Sequence, residues 1–435
     1  MKKQLSLVAI GLASALALAG CSGGGAPSPG TTSTEATTTS TTASAPAPAQ
    51  IRVWLVGTDT PQEARDYLKT TFEAANPGST LVIEEQSWTG LVDKYTTALS
   101  GSDAPDVVEI GNTQAPAFTS AGAFLDLSDK YQELGGSDLL PGFVDIGSYN
   151  GKFYAAPYYS GARVVTYSSD MVTTPNPTTW DAFLAASKSL TSANVSGLWM
   201  PGKDWRDLMT FVWVNGGNIA TQNADGSWSA GFSTPEAQKG LSELQDMFTN
   251  ANHAPMDGMD ADQNIPFCAG QLAYLMSPSW MSGVVAGTAD NGGCADTYAA
   301  DGKIHQFAVP GLTDGSFAPV LAGGSNIAIP AKSHNPELAY SALKIMLSDD
   351  YQKILAAAGM VPAKVSQASF MTPGEASTAA ANAAANAKLT PASPKWADVE
   401  AQQVLEDAFS KIAQGQDIVA VAADLDSKIN SILNG

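Results

Sequence analysis

Short runs of β-branched and apolar residues alternate with helical periodicity along the first part of the chain. IRVWLVG (51–57), STLVIEEQ (79–86) and PDVVEIG (105–111) each predict a strand, and two of these runs end in glycine. Between them, PQEARDYLKTTFEAANPG (61–78) and WTGLVDKYTTALSG (88–101) space their apolar residues as amphipathic helices do. Strands that alternate with helices indicate crossover units, so the pattern predicts an α/β fold with a largely parallel sheet.

The rest of the chain also alternates predicted strands with predicted helices. An NGK turn separates two aromatic-rich runs and predicts a hairpin. TTWDAFLAASKSL (178–190) predicts a helix that Thr179 caps. The segment 320–348 reads as a strand, a turn and a helix. The tail predicts two amphipathic helices, one over 396–413 and one over 416–433.

The first fifty residues have a different character. Two lysines precede the uncharged run LSLVAIGLASALALAG, which has the length and flanks of a secretory signal. Small residues directly before Cys21 resemble a bacterial lipobox, in which the cysteine is lipidated and becomes the first mature residue; they disfavour the alternative of an uncleaved membrane anchor. Residues 22–50 are almost entirely Ser, Thr, Gly, Ala and Pro, a composition that does not offset its ordering entropy. We therefore expect a signal peptide over 1–20 and a lipid-anchored, flexible tether over 21–50.

Size and charge narrow the classes of function. About 385 residues follow the tether, which is more than one core usually holds, so we expect two domains. The formal net charge is −20. An acidic surface repels phosphate groups and therefore disfavours nucleic acid as a partner. It also repels anionic lipid headgroups, which suits attachment to a membrane through a covalent lipid.

Two cysteines remain beyond Cys21, namely Cys268 and Cys294. In an exported protein this pair predicts a disulfide, with two buried free thiols as the alternative. Closing a loop of that length stabilises a fold by roughly 3–4 kcal/mol in the chain-entropy model. No histidine or further cysteine lies close by in sequence, which disfavours a metal site.

Motifs for catalysis are not convincing. The three histidines, His253, His305 and His334, have no zinc-binding helix spacing. GGSNI (323–327) lacks the last glycine of a nucleophile elbow, and DADQNIPFCAGQ (260–271) lacks the glycine and glutamate of a calcium loop. A pair of carboxylates that meets in space would still suit glycoside hydrolysis. We therefore expect no cofactor and no metal, while a secreted glycan-active enzyme stays an alternative.

Several segments, taken in order, resemble the extracellular solute-binding lipoproteins of carbohydrate ABC importers. They are KYTTALSGSDAPDVVEIGNTQAPAFTSAGAFLDLSD, GKFYAAPYY, TTWDAFLAASKSL, TPEAQKGLSEL, FCAGQLAYLMSPSW and GGSNIAIPAKSHNPELAYSALKIML. The resemblance covers most of 51–435 and implies a two-lobe, periplasmic-binding-protein-like clamshell. Each lobe would hold a mixed, mostly parallel sheet flanked by helices, and the chain would cross between the lobes three times. It places lobe 1 at 51–165 plus 320–370, and lobe 2 at 166–319 plus 371–435.

The resemblance also implies a function. A protein of this family would hold a mono- or oligosaccharide between its lobes without altering it, and deliver it to the permease subunits of an ABC transporter. It would act as a lipid-anchored monomer at the extracellular face of the cell membrane. GNTQ and PYYSGARVVTY further resemble receptors for N-acetylglucosamine and diacetylchitobiose, while cellobiose, maltose-type and trehalose ligands stay open. A sugar sensor that does not take part in transport is a further alternative.

Ligand contacts are expected in loops at the carboxyl ends of strands. Aromatic rings cover the apolar faces of a sugar there, while amides, carboxylates and arginine satisfy its hydroxyls. The candidates in the first half of the chain are Asp59, Gln86, Trp88, Asn112, Thr113, Gln114, Tyr158, Tyr159 and Arg163. Those in the second half are Trp205, Arg206, Trp280, Gly323, Gly324, Ser325 and Trp396.

Most candidates also have a structural alternative. The alternatives are a turn cap for Asn112, helix packing for Trp88 and Trp396, an interlobe ion pair for Arg163 and a tight turn for 323–325. Alternation along a strand predicts that only one of Tyr158 and Tyr159 faces the cleft. Trp280 is the strongest single candidate. We expect Trp280→Ala to abolish binding while the thermal transition stays within a few degrees of the parent.

Overall fold

The computed structural model describes residues 46–259, 262–288, 293–294 and 302–435. The expected signal peptide, the lipidation site Cys21 and most of the tether lie outside these residues. Within the described ranges, no helix combines the length and apolar character that a bilayer crossing requires.

Strands occur along the whole described chain. They are β1 (Gln50–Val56), β2 (Thr80–Gln86), β3 (Val107–Gly111), β4 (Ser148–Tyr149), β5 (Lys152–Phe153), β6 (Ala155–Ser168), β7 (Ser196–Trp199), β8 (Ala220–Gln222), β9 (Trp228–Ala230), β10 (Leu272–Pro278), β11 (Ile304–Phe307), β12 (Ala322–Ala328) and β13 (Val361–Pro362).

The helices of the first half are α1 (Gln62–Ala75), α2 (Leu91–Ser100), α3 (Ala115–Ser120), α4 (Tyr131–Leu134), α5 (Pro141–Ile146), α6 (Trp180–Leu190) and α7 (Trp205–Val214). Those of the second half are α8 (Pro235–Asn250), α9 (Asn264–Cys268), α10 (Met281–Ala286), α11 (Pro336–Met346), α12 (Asp349–Ala357), α13 (Glu375–Ala384), α14 (Trp396–Ala401), α15 (Val404–Ala413) and α16 (Ile418–Asn434).

One long strand, β6, organises the main sheet. The strand order is β2-β1-β3-β12-β6-β10-β7, and β11 and β13 pair with β6 outside this path. The first half of β6 pairs with β12 and β13, and its second half pairs with β10 and β11. Neighbours β2-β1-β3 and β10-β7 are parallel, as crossover helices require, whereas the ladders of β6 and β12 are antiparallel. The sheet is therefore mixed.

Apolar side chains gather into separate cores along this sheet. The largest core combines the second half of β6, β10, α6, α7 and α8 with the tail helices α14 to α16. Two others combine β1 to β3, α1, α2, the first half of β6, β12, α11 and α12. Core membership along the chain changes within β6, between Leu321 and Ile327, and between Ala363 and Ala379, and Trp280, after β10, also packs with the core of β1 and the first half of β6. Pro46–Gly435 nevertheless forms one compact unit, so the exact lobe boundaries stay a prediction.

Local sequence signals account for several element ends. Thr179 caps α6, because its Oγ1 accepts the N–H of Ala182 over 3.3 Å. The predicted hairpin is present as β4 and β5, with Asn150 and Gly151 at positive φ. The predicted helix over 396–413 is instead two helices, α14 and α15, because Gln403 between them adopts φ +51°.

Cys268 and Cys294 are joined as a disulfide, with their Cα atoms 5.1 Å apart. Cys294 is buried in a small apolar cluster with Leu272 and Val285, and Cys268 packs against that cluster. The bond therefore ties the end of α9 to a segment that follows α10.

Candidate functional site

Trp88, in the loop after β2, lies against the loop after β1. Its Nε1 donates a hydrogen bond to Asp59 Oδ2 over 3.2 Å, and 39% of the residue stays exposed. Gly57, at φ +60°, and Gly111 make room for the indole, because a Cβ at either position would lie 3.0–3.1 Å from it. The indole is thus fixed at its edges while a large part of its surface remains open to a partner.

The segment after β3 is buried and tied to β12. Asn112 Nδ2 donates to the carbonyl of Ala322 over 2.9 Å, and the Asn112 backbone N–H donates to the carbonyl of Gly324 over 3.0 Å. These bonds use the Asn112 amide within the protein, much as the turn-cap alternative expects. Thr113 and Gln114 are also buried.

Gln114 joins this segment to the tail helix α14. Its Nε2 donates to Glu400 Oε2 over 3.0 Å, and Glu400 Oε1 accepts the indole N–H of Trp396 over 2.9 Å. The Trp396 ring meets Trp205 edge to face at a centroid distance of 6.0 Å. The guanidinium of Arg206 lies 5.0 Å from the Trp205 ring centroid. One chain of contacts therefore connects four of the predicted residues through a carboxylate.

Three buried polar atoms in this region have no hydrogen-bond partner among the described residues. They are Gln86 Oε1, Gln114 Oε1 and Trp205 Nε1. Leaving such an atom unsatisfied costs about 1–3 kcal/mol, so buried groups of this kind usually have a partner. The Gln114 acceptor and the Trp205 donor lie at opposite ends of the Glu400–Trp396 contact. A ligand that both donates and accepts hydrogen bonds would satisfy the pair.

Arg163, on β6, forms a buried ion pair with Asp207 of α7. The Nε–Oδ1 distance is 2.7 Å, and the two side chains are 6% and 4% exposed. The pair joins a strand to the first turn of a helix that carries Trp205. Because each charge compensates the other out of water, removal of one partner costs about 3–5 kcal/mol.

Trp280 follows β10 but packs against the first half of β6. It is 9% exposed, and its ring meets Tyr159 edge to face at 5.7 Å. Gly161 permits this approach, since a Cβ there would lie 2.4 Å from Trp280 Cζ3. A Cβ on Gly323 would lie 3.6 Å from the same indole, and Gly324, at φ +133°, passes close to the carbonyl of Tyr159. Gly161 of β6 is thus the glycine that the position of Trp280 requires, whereas Gly324 allows β12 to lie close to the backbone of Tyr159.

A β-bulge places Tyr158 and Tyr159 on the same side of the sheet. Opposite them, the register of β12 passes from Ser325–Tyr159 directly to Asn326–Pro157, which leaves Tyr158 without a cross-strand partner. The two rings lie 4.9 Å apart and both residues are buried. Their hydroxyls bond inside the core, that of Tyr158 to Thr60 and Tyr351 and that of Tyr159 to Glu109. Simple alternation therefore does not hold at this pair.

Three carboxyl groups that hold the candidates in place were missed by the sequence reasoning. Glu109 bonds Tyr159, Asp207 pairs with Arg163, and Glu400 bonds Gln114. Glu109 had a sequence signal, because it is the one acid within the strand run VVEIG. Burial raises the pKa of Glu109 to about 7, despite hydrogen bonds that favour its charged form. The other two carboxyls follow only from the tertiary contacts.

Other features of the described chain lie apart from these residues. The described residues hold no group of three His, Cys, Asp or Glu side chains placed to bind a metal ion. An open cavity of about 430 Å³ is lined by residues before α6, on β11 and at the start of α13, among them Thr178, Phe307 and Glu375. Its lining includes none of the sequence-predicted residues. The candidates themselves pack mostly against one another rather than around an open space.

Comparisons with known proteins identify the family to which the chain is similar. A family model described as bacterial extracellular solute-binding protein matches residues 57–353. The diacetylchitobiose binding protein DasA of Streptomyces coelicolor is 30% identical over 392 residues, which covers 88% of this chain and 89% of that protein.

Solved structures share the fold at lower identity. The GacH receptor of Streptomyces glaucescens superposes with a TM-score of 0.76 at 18% identity, covering 89% of this chain and 99% of that one. The ABC substrate-binding protein Lmo0181 of Listeria monocytogenes, solved in complex with cycloalternan, gives a TM-score of 0.75 at 21% identity, covering 89% and 100%. Likeness at this level of identity establishes the fold.

Proposed function

Because the chain belongs to the family of bacterial extracellular solute-binding proteins, we propose that it is the saccharide-binding component of an ABC importer. It binds a mono- or oligosaccharide without changing its bonds and delivers it to membrane permease subunits. The fold belongs to the two-lobe α/β class. In the proposed division, lobe 1 spans 51–165 plus 320–370 and lobe 2 spans 166–319 plus 371–435.

The observation that carries this proposal is the buried pair of unsatisfied atoms beside the Gln114–Glu400–Trp396 contact. Gln114 Oε1 accepts and Trp205 Nε1 donates, and neither has a partner among the described residues. Sugar hydroxyls both donate and accept hydrogen bonds, so a saccharide carries the kind of partner that each atom lacks. The indole of Trp88, which is 39% exposed and lies against the same Gly111 as Gln114 Oε1, provides the apolar contact that the C–H face of a sugar needs.

The proposed ligand class is an N-acetylated saccharide such as diacetylchitobiose. The S. coelicolor relative is a diacetylchitobiose binding protein by name and matches nearly the whole chain. An acetamido group carries one N–H donor and one C=O acceptor, the two functions that Gln114 Oε1 and Trp205 Nε1 call for.

We divide the predicted residues into proposed ligand contacts and residues that support the site through contacts within the protein. The proposed ligand contacts are Asp59, Gln86, Trp88, Thr113, Gln114, Trp205, Arg206, Trp280 and Trp396. The proposed supporting residues are Asn112, Tyr158, Tyr159, Arg163, Gly323, Gly324 and Ser325, whose polar groups or backbone mostly contact the protein itself.

Calorimetric titration tests the function directly. The full mature chain is titrated with diacetylchitobiose, N-acetylglucosamine, cellobiose, maltose and trehalose at one buffer composition. We expect binding of at least one sugar, tightest for the N-acetylated disaccharide, with the sugar recovered intact by mass analysis. Absence of binding to every sugar would overturn the proposal, and recovery of cleaved sugar would favour the enzyme alternative.

Lipid anchoring at Cys21 and action as a monomer at the extracellular membrane face are part of the same proposal. A Cys21→Ser variant expressed with its signal should appear in the culture medium, whereas the parent chain stays with the membrane fraction. Equal membrane retention of both forms would remove Cys21 as the anchor. Sedimentation of the mature chain tests the monomer, and a dimer mass would contradict it.

A further inference from the structure

Glu109 is a carboxyl group buried inside an otherwise apolar strand. It is 0% exposed, and its neighbours along β3, Val107, Val108 and Ile110, are all core residues. Its Oε2 accepts the backbone N–H of Val56 over 2.9 Å, and its Oε1 accepts the hydroxyl of Tyr159 over 2.8 Å. A buried carboxyl is costly to keep, so its contacts invite a functional explanation.

The hydrogen bond from Val56 to Glu109 stands where a backbone hydrogen bond between β1 and β3 would otherwise form. Strands β1 and β3 pair only at Val53–Val107 and Trp54–Val108. Beyond that point the Glu109 side chain, rather than a β3 carbonyl, receives the N–H of the last β1 residue. The loop that follows Val56 carries Asp59, which holds the Trp88 indole. The Glu109 side chain therefore fixes the position at which that loop begins.

The contact with Tyr159 reaches the other side of the candidate site. Tyr159 packs edge to face on Trp280 at 5.7 Å, and its hydroxyl also lies 3.4 Å from Ser325 Oγ, at the glycine-rich part of β12. The two Glu109 oxygens thus bind groups that position two different indoles, Trp88 through Asp59 and Trp280 through Tyr159.

We propose that Glu109 is a positioning residue for ligand binding, whose two oxygens hold the Trp88 loop and the Tyr159–Trp280 pair in register. This inference rests on the proposed function. In the ionised form both oxygens only accept hydrogen bonds, which suits the Val56 N–H and the Tyr159 O–H. In the neutral form one oxygen becomes a donor. Because the Val56 N–H can only donate, the proton goes to Oε1, so the Tyr159 hydroxyl accepts where it donated before and the Tyr159–Trp280 side is held by a weaker, uncharged hydrogen bond.

The surroundings make Glu109 the group that changes charge near neutrality. Burial raises its pKa to about 7, with a further rise from the Asp59 carboxylate, while the Val56, Ser325 and Tyr159 hydrogen bonds oppose the rise. The titratable and charged groups that interact with it are Asp59 from the loop after β1, Tyr95 from α2, Tyr158 and Tyr159 from β6 and Tyr351 from α12, and Arg65 of α1 acts on Tyr351. Burial raises the pKa of every tyrosine in this set, so these phenols stay neutral around pH 7.

Fluorine NMR of the full mature chain labelled with 5-fluorotryptophan tests the inference without any ligand. Single Phe substitutions at Trp88 and Trp280 assign the two resonances. In the parent chain both resonances should titrate between pH 6 and 8, and Glu109→Gln should abolish that titration. The matched control is Asp106→Asn. It alters a buried carboxyl directly before β3, which accepts hydrogen bonds from the Arg52 backbone N–H and the Ser333 hydroxyl, away from both indoles. In this variant the two tryptophan resonances should titrate as they do in the parent.

A second arm measures affinity for diacetylchitobiose at pH 6 and pH 8. Weakening of one positioning hydrogen bond should reduce affinity at pH 6 roughly 2- to 10-fold in the parent, and Glu109→Gln should remove the pH dependence. Indole resonances that do not titrate in the parent, or that titrate equally in Glu109→Gln, would overturn the inference. If Glu109→Gln does not fold, the pH dependence of the indole resonances in the parent is sufficient to test the inference. Failure of the sugar to bind, with titration intact, counts against the proposed function rather than against Glu109.

Discussion

Gln114 Nε2 donates a hydrogen bond to Glu400 Oε2 over 3.0 Å, and this contact joins residues that are 286 positions apart in the chain. It connects the segment after β3 with α14, whose Trp396 shares the same carboxylate. The remaining Gln114 oxygen is buried without a partner among the described residues. The Gln114 amide therefore binds α14 through its nitrogen, while its oxygen remains available as a hydrogen-bond acceptor.

Replacing this amide by an acid tests the contact. Gln114→Glu puts two carboxylates against each other and removes the donor, so we expect affinity for the saccharide to fall at least tenfold, a difference of about 1.4 kcal/mol. Calorimetric titration measures the effect. Gln402→Glu, at an exposed position just after α14, is the matched control and should bind as the parent does. Equal losses in both variants would point to net charge rather than to this contact.

Trp280 and Trp88 should differ in what they contribute to stability. Trp280 is 9% exposed and packs on Tyr159, so Trp280→Ala should lower the free energy of unfolding by about 3 kcal/mol or more. This revises the sequence-based expectation of a nearly unchanged thermal transition. Trp88→Ala, at 39% exposure, should cost under about 1 kcal/mol and mainly weaken binding. Urea unfolding of both variants measures the contrast; a Trp280→Ala chain as stable as Trp88→Ala would contradict the packing argument.

Glu109 should make stability depend on pH in a defined direction. Its folded pKa, about 7, lies above its ordinary value of 4.5, so the folded state binds the proton more tightly than the unfolded state does. The free energy of unfolding should therefore fall as pH rises from 4.5 to 7, by on the order of 3 kcal/mol from this group.

Urea unfolding across that range, in the parent and in Glu109→Gln, isolates the contribution. The difference between the two curves should change with pH inside this window. The Asp106→Asn variant retains Glu109, so its stability should still fall as pH rises through the same window. A parent and a Glu109→Gln curve that stay parallel would show that Glu109 is charged throughout.

The disulfide should be detectable and stabilising. Unreduced exported protein should be two hydrogens lighter than the dithiol form, since Cys268 and Cys294 are bonded. Their separation of 26 positions gives a loss of roughly 3–4 kcal/mol on removal in the chain-entropy model. Cys268→Ser with Cys294→Ser, compared with the parent in urea, measures it. An unreduced mass that corresponds to two thiols would contradict the bond.

Part of the candidate site could be predicted from the sequence because its residues lie directly after predicted strands. Trp88, Asn112 and Gln114 were chosen as residues after predicted strands, and the structure brings Trp88 and Gln114 against the same glycine, Gly111. Tyr158 and Tyr159 show the limit of this reasoning. The β-bulge that puts both rings on one side depends on the pairing of β6 with β12, more than 160 residues away, and nothing local signals it.

The sequence by itself determined the alternation of strands and helices, the Thr179 cap, the hairpin turn and the family to which the chain belongs. These features depend on period, turn chemistry and residue order, which are local properties. Only the tertiary structure decided that α14 is separate from α15, that Glu400 meets Gln114, and that Glu109 holds two sides of the site. Such contacts join residues distant along the chain, and their partners are fixed by how the sheet assembles rather than by any spacing within a segment.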